Sequence, residues 1–369
     1  MKIDIFKVEE WFNQYEKTAK YNLADTCIDS MSINELLKLS NEKLDDILYK
    51  KLNYGDIQGS LRLKQAILGL YQNQDLENIT VTHGAIGANQ LVFLSLVEPE
   101  DEVIAILPAY QQHYSIPKAL GAIVKPLFLK PENNWLPDIE ELKKLISSKT
   151  KLITLINPNN PTGSVIEDSL MQDIINIANG VYILVDEVYR GIVRDKEYET
   201  TSIADLYDRG IATSSLSKGF SLAGLRVGWI AAGKEIIKEI NHQREYNTIS
   251  VSILDDYFAS IALENKDKIF KRNLEKQQIG YNILSDWVDS EPLINCVLPN
   301  GGTTAFIKYD IPVSSYELCR ELLKDTGVLF LPGETLEFDR YLRLGYCNNP
   351  ERLQKGLDIF SKYMLNKKI

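Results

Sequence analysis

The sequence predicts an α/β protein with a mostly parallel sheet, and three observations carry that prediction. Short β-branched apolar runs alternate with longer helical patterns through the middle of the 369 residues. Several of those runs are apolar at consecutive positions, as expected of strands covered by helices on both faces. The C-terminal third holds fewer strands and more helix, which reads as a smaller α+β body.

In chain order, the strand candidates are "NITVTH" (78–83), "DEVIAILP" (101–108), "GAIVKPLFL" (121–129), "KLITLINP" (151–158), "VYILVDE" (181–187), "GIATSS" (210–215) and "RVGWIAA" (226–232). Between them, "GANQLVFLSLV" (87–97) and "IEDSLMQDIINIAN" (166–179) have helical spacing. This body is placed at residues 35–245. Further on, "RNLEKQQIGYNILSDWVDS" (272–290), "SSYELCRELLKDT" (314–326) and "NPERLQKGLDIFSKYML" (349–365) read as helices. "GGTTAFIKYD" (301–310) and "YLRLGY" (341–346) read as strands, and the N-terminal "VEEWFNQYE" is expected to pack on one of the two bodies. Trp11, Trp135, Trp229 and Trp287 are read as core or domain-packing residues.

Composition narrows the function. The chain carries 51 acidic and 41 basic residues, net −10, with no basic stripe, which argues against nucleic acid and anionic membrane as partners. Any anionic ligand must be held locally. Cys27, Cys296, Cys319 and Cys347 are scattered, without a CxxC pair or nearby histidines, so they read as reduced thiols of a cytoplasmic protein with no metal centre. The mixed charge of the first residues and the shortness of the apolar runs read as neither a secretory signal nor a membrane span.

Loops at the carboxyl ends of parallel strands are where open α/β sheets bind ligands, and four sequence features fall there. "THGAIGANQ" (82–90) is a strand, small residues and a helix start, able to bring backbone N–H groups close to an anion. "NPNNPTG" (157–163) is a stiff turn in which Asn157 caps and Asn160 either is incidental or presents an amide to a ligand. "VYILVDEVYRG" (181–191) ends an apolar run on Asp186 and Glu187. An inward Asp186 would require a cationic partner and would bring Tyr189 to the same place, while Arg190 is expected to face out. "TSSLSKGFSLAGLRVGW" (213–229) offers hydroxyls on Ser215 and Ser217, the amine of Lys218 and the anion-gripping fork of Arg226. Each has a bland reading alone. Together they are an anion cradle, an amide, a carboxylate and a lysine in one domain.

Ser215-x-Ser217-Lys218 followed by Gly224-x-Arg226-x-Gly228, together with "NNPTG" and "VDEVY" in matching order and spacing, resembles the signatures of fold type I pyridoxal phosphate enzymes of the class I/II aminotransferase family. The resemblance covers nearly the whole chain. It implies an aspartate aminotransferase-like fold: a large domain (35–245) with a mainly parallel seven-stranded sheet, a small domain from both termini (1–34 and 246–369), and a homodimer with active sites at the subunit interface. It implies pyridoxal 5'-phosphate as cofactor and an α-amino acid and a 2-oxo acid as substrates.

Carried over residue by residue, the resemblance makes Lys218 the Schiff-base lysine and proton carrier, and Asp186 the partner of the pyridine nitrogen. Asn160 and Tyr189 become donors to the phenolic oxygen. Ser215, Ser217, Arg226 and backbone around Gly84, Ala85 and Ile86 become the phosphate cup. Tyr110 in "PAYQQHY" is matched to the aromatic stacked on the ring, and Tyr54 in "NYGDIQG" to the tyrosine reaching the neighbouring subunit's phosphate. Arg343 in "RYLRLGY" is matched to the arginine that holds the substrate α-carboxylate, with Asn160 beside it. A solvent-facing arginine on an edge strand is the alternative for Arg343.

The chain departs from the family near its start, where "NLADTCIDSMS" (22–32) stands in place of a glycine-x-proline loop. That region is faintly similar to capreomycidine synthase-like members, which use the scaffold for elimination and cyclisation at an amino-acid side chain. Transamination is therefore the first expectation, a lyase or cyclase the second, and a binding protein that retains the fold the third. Intact Lys218 and Asp186 speak against the last. His83 is expected to be structural, His113 to lie at the substrate entrance if it serves the site at all, and His242 and Arg244 to sit on a helix surface.

Overall fold

The computed structural model describes residues 2–367 and joins all seven central strand candidates in one sheet. They are β1 (Ile79–His83), β2 (Glu102–Leu107), β3 (Ile123–Phe128), β4 (Thr150–Ile156), β5 (Tyr182–Asp186), β6 (Gly210–Ser215) and β7 (Val227–Ala232). The order across the sheet is β1-β7-β6-β5-β4-β2-β3. All neighbours are parallel except β7, which runs antiparallel to both β1 and β6.

Consecutive apolar residues have a direct consequence here, because successive side chains of a strand point to opposite faces. Within β2, Val103 enters one hydrophobic cluster and Ile104 and Ile106 another. Within β5, Leu184 separates from Ile183 and Val185 in the same way. The principal helices up to residue 245 are α1 (Lys7–Tyr15), α2 (Gly84–Leu96), α3 (Gln112–Ala119), α4 (Asp168–Ala178) and α5 (Lys234–Arg244). Helices α2 and α5 cover one face of the sheet. The other face takes α4, whose Met171, Ile174 and Ile175 point inward. Each fully buried aliphatic side chain of this kind contributes about 1.5–3 kcal/mol, so a double-faced sheet is a stiff platform for whatever its edge carries.

The smaller body is a four-stranded antiparallel sheet ordered β10-β11-β9-β8, made of β8 (Ile294–Cys296), β9 (Thr304–Tyr309), β10 (Leu331–Pro332) and β11 (Tyr341–Gly345). Helices α7 (Lys266–Ser290), α8 (Ser315–Thr326) and α9 (Pro350–Lys367) follow α6 (Ile253–Glu264) and pack around it. Tyr21 and Asn22 pair in parallel with Val328 and Leu329, so the start of the chain joins this body. The expected fold, a large mainly parallel sheet domain with a smaller second domain, is the observed one.

Helix α1 differs from expectation. It bridges the two bodies instead of packing on one: Trp11 Nε1 donates to Phe330 O at 3.0 Å, while Lys7 N donates to Gln111 Oε1 at 2.8 Å. The four tryptophans are buried as expected. Among the described residues, no helix is long and apolar enough to cross a membrane.

Candidate active site

Parallel strands deliver their carboxyl ends to one edge of the sheet, and the four sequence features meet there. Asp186 is the last residue of β5 and Ser215 the last of β6. Asn160 follows β4, and Gly84 opens α2 directly after β1. Arg226 precedes β7, yet because β7 runs backwards its start lies at that same edge. These residues face α1 and the segment after it across a cavity of about 520 Å³.

Asp186 is 5% exposed and fixed from several sides. Asn89 Nδ2 donates to its Oδ2 at 2.8 Å, and Thr213 Oγ1 donates to Asn89 Oδ1 at 2.6 Å. Val188 N donates to Asp186 Oδ1 at 3.2 Å. His113 lies beneath: its Nε2 is 3.8 Å from Asp186 Oδ2 and its Nδ1 is 2.5 Å from Thr154 Oγ1. A carboxylate so desolvated is costly unless paired, and these polar contacts aim it at the cavity, where a cation would complete it.

Lys218 points at the same space. Its Nζ donates to Thr26 Oγ1 at 2.6 Å and lies 3.5 Å from Cys27 Sγ. Burial works against its positive charge, but Cys27, Tyr189 and Asp25 outweigh that and hold the ammonium above the ordinary lysine range.

On the opposite side Arg343 is buried at the centre of the small sheet, paired through β11 with Phe306 of β9 and Leu331 of β10. The edge-strand alternative is thus excluded. Its Nη1 donates to Asn160 Oδ1 at 3.3 Å and its Nη2 to Ala24 O at 3.1 Å, leaving buried Nε without a partner among the described residues. Burial draws its pKa down, countered by Tyr189, Tyr110, Asp25 and Glu9. The Tyr189 hydroxyl is likewise buried and unpartnered. Two orphaned donors in one cavity describe a place for an acceptor-rich ligand.

Glycine is required where the backbone crowds. Gly84 has φ +65°, and a Cβ there would stand 2.9 Å from Arg226 Nη2. A Cβ on Gly228 would come within 2.7 Å of Ala85 N and closer still to Gly84. The missing side chains leave the start of α2 open to Arg226, Ser215 and Ser217, with Ala85 and Ile86 lining the cavity. Ser215 Oγ accepts from Ser217 N at 3.2 Å. Tyr110 lies at the cavity wall, its hydroxyl donating to Glu9 Oε1 at 2.7 Å, and burial followed by Glu9 pushes its pKa up. Tyr54 lies apart from the cavity, 78% exposed.

Several expectations are corrected. Arg244 is 1% exposed, its Nε donating to Val81 O at 3.0 Å, because the last turn of α5 lies against β1. Arg190 turns onto Glu187, Nη1 to Oε2 at 2.9 Å, and onto Leu70 O. Glu187 is consumed there and by Ser202 and Ile203 N, with burial pushing its pKa up. His113 is fully buried under Asp186, away from any entrance. Reading the sequence missed Asn89, although a polar residue inside the apolar helix "GANQLVFLSLV" was a usable signal. It also missed Glu9, Glu16, Asp25 and Thr26, far from Lys218 along the chain and without a local motif.

The chain is similar to known proteins over nearly its whole length. A family model described as aminotransferase class I and II matches residues 35–360. A PLP-dependent aminotransferase from Streptococcus suis 89-1591, of known crystal structure, is 40% identical with a TM-score of 0.96, covering 100% of this chain and 99% of that one. The capreomycidine synthase of Streptomyces vinaceus is 30% identical over 364 residues, 96% of this chain and 92% of its own. An aspartate aminotransferase of Thermotoga maritima is 26% identical over 326 residues, 85% of this chain and 84% of its own.

Proposed function

The chain belongs to the class I and II aminotransferase family, and on that premise we propose that it is a pyridoxal 5'-phosphate-dependent enzyme moving the amino group of an α-amino acid to a 2-oxo acid. The observation that carries the reading is the meeting of the Lys218 amine and buried Asp186 with two unpartnered donors, Tyr189 Oη and Arg343 Nε, in one cavity. The residues present fit that cofactor. The glycine-opened cradle of Gly84, Ala85 and Ile86 with Ser215, Ser217 and Arg226 suits a phosphate, Asp186 suits a protonated ring nitrogen, and the orphaned Tyr189 hydroxyl suits a phenolic oxygen.

When bound, the cofactor supplies an electron sink for negative charge at the substrate α-carbon. Lys218 would hold it through its amine and, with that amine free, would carry the α-proton as general base and acid. Asp186, held by Asn89, would stabilise ring charge with little reorganisation. Asn160 and Tyr189 would hold the phenolic oxygen, Tyr110 would cover the ring, and Arg343, already bonded to Asn160, would take the α-carboxylate and so orient the α-hydrogen. Tyr54, exposed on this subunit, would reach the cofactor phosphate of the partner subunit in a homodimer. The division into a large domain at 35–245 and a small domain at 1–34 and 246–369 belongs to the same reading, and four free cysteines support a cytoplasmic location.

A second reading is favoured by one observation: Thr26 and Cys27 stand against Lys218 where relatives carry glycine-x-proline. There the same proton transfer would feed elimination or cyclisation on the substrate side chain. Incubation with an amino donor and a labelled 2-oxo acid separates the two. Transamination predicts label in a new amino acid, one per donor consumed. A lyase or cyclase predicts donor consumption with the label still in the 2-oxo acid.

A further inference from the structure

In the proposed function, on which this inference rests, Arg343 and Lys218 act on one substrate carbon from two different bodies. Arg343 stands in the small sheet and Lys218 just after β6 of the large one. One short stretch of chain touches both. Ala24 O accepts from Arg343 Nη2 at 3.1 Å, and two residues on, Thr26 Oγ1 accepts from Lys218 Nζ at 2.6 Å.

That stretch is held at every residue. Leu23 O accepts from Gly345 N at 2.8 Å, and Thr26 O accepts from the buried Thr303 Oγ1 at 2.7 Å. Asp25 is fixed through its carboxylate, with Cys27 N donating to Oδ1 at 2.9 Å and Asn348 Nδ2 to Oδ2 at 2.8 Å. A Cβ on Gly345 would stand 1.7 Å from Asp25 O, so the backbone lies directly against the end of β11. Thr26 itself is 8% exposed. A β-branched side chain on so constrained a backbone has few rotamers open to it, and its hydroxyl is therefore a fixed acceptor.

The lysine needs such an anchor. Its amine rides on a flexible four-carbon stem, and a proton carrier misplaced by an ångström loses much of its effect. The Cys27 thiol, 3.5 Å from Nζ, is a weaker acceptor than the hydroxyl. We propose that Thr26 is a positioning residue for Lys218: its hydroxyl holds the free amine in a set relation to Arg343, so that the proton carrier and the carboxylate grip meet at the same α-carbon. Hydroxyl and carbonyl come from one braced stretch, which ties the two bodies' contributions together.

The test titrates Lys218 in the full-length protein freed of cofactor, where its amine can meet a reagent. Trace acetylation with acetic anhydride across pH, read by peptide mass mapping, gives the midpoint for this one lysine. Thr26→Val keeps the shape and removes the acceptor, which favours the ammonium over the neutral amine, so the midpoint should fall by about one pH unit. Thr26→Ser keeps the hydroxyl and should keep the midpoint. The other groups facing the amine are untouched by either change: Cys27 and Asp25 on the same stretch, Tyr189 after β5, Arg343 on β11, and Asp186 and Arg226 on the cavity wall. With cofactor bound, Thr26→Val should slow exchange of the substrate α-hydrogen about tenfold with little change in apparent affinity, and Thr26→Ser should recover it. Thermal unfolding reports that the fold is kept. Should the valine protein not fold, Thr26→Ala removes the same acceptor and is held to the same results. A midpoint unmoved by loss of the hydroxyl, or a serine protein that behaves like the valine one, would overturn the proposal. The titration needs neither cofactor nor substrate. A shifted midpoint without label transfer to the 2-oxo acid would remove transamination alone, and label transfer with an unmoved midpoint would remove this inference alone.

Discussion

The floor of the cavity and its N-terminal wall are built on opposite plans. On the floor, Asp186 has Asn89, Val188 N and the neighbouring His113 around it, and Asn89 is itself held by Thr213. On the wall, Glu9 and Glu16 are exposed, each held by a single hydrogen bond. The floor hangs from strands covered on both faces, the wall from one short helix bridging two bodies. On the function proposed above, the groups that would meet the cofactor are preorganised, whereas the wall is made of exposed side chains where substitution costs the fold little.

That contrast is sharpest for Lys218. Lys218→Ala is expected to fold as the parent does and to lose at least about three orders of magnitude in amino transfer, since attachment and proton transfer go together. Turnover under saturating donor checks it, and activity within tenfold of the parent would break the assignment. Asp186→Ala should cost the chemical step about 2–4 kcal/mol while the phosphate cradle keeps the cofactor bound. Single-turnover rates of α-hydrogen exchange measure that loss.

Arg343→Lys tests the opposite body. It replaces a planar fork by a point charge and should raise the apparent dissociation constant of an α-amino acid by about tenfold or more, with a much smaller effect on amines without a carboxylate. Stopped-flow titration of matched pairs reads the difference, and equal effects on both would take Arg343 out of the substrate site. The smallest expected effect is on stability. Asn89→Ala removes the donor to Asp186 and the acceptor for Thr213 and should lower unfolding free energy by about 1–3 kcal/mol. Denaturant unfolding of the apoprotein gives the number, and an Ala substitution at Glu16 should leave it nearly unchanged.

The same contrast explains what could be read from the sequence. Consecutive apolar, β-branched runs identified every strand of the large sheet to within about two residues, because double burial leaves no alternative composition. Helix α2 starts at Gly84, three residues before the expected "GANQ", since its positive φ turns strand into helix without a loop. Helix α7 reaches back to Lys266 through a charged stretch in which Ile269 is the one buried residue before the expected start. Lys218, Asp186 and Asn160 were picked out because each stands at or just after a strand end in a motif of fixed spacing. Glu9, Asp25 and Thr26 were not, because long-range folding brings them to Lys218 from about two hundred residues away, and no local pattern marks such a meeting. Arg244 misled for a related reason. A charged helix end normally faces water, but Val81 O needed a donor there.

The attachment of the cofactor to Lys218 is tested most directly by chemical trapping on the native protein. Purified enzyme with its bound cofactor is reduced with borohydride, digested and mapped by mass spectrometry. The expected result is a single pyridoxyl-modified peptide carrying the label on Lys218. A stable label on any other lysine, or none on a protein that demonstrably binds pyridoxal phosphate, would contradict it.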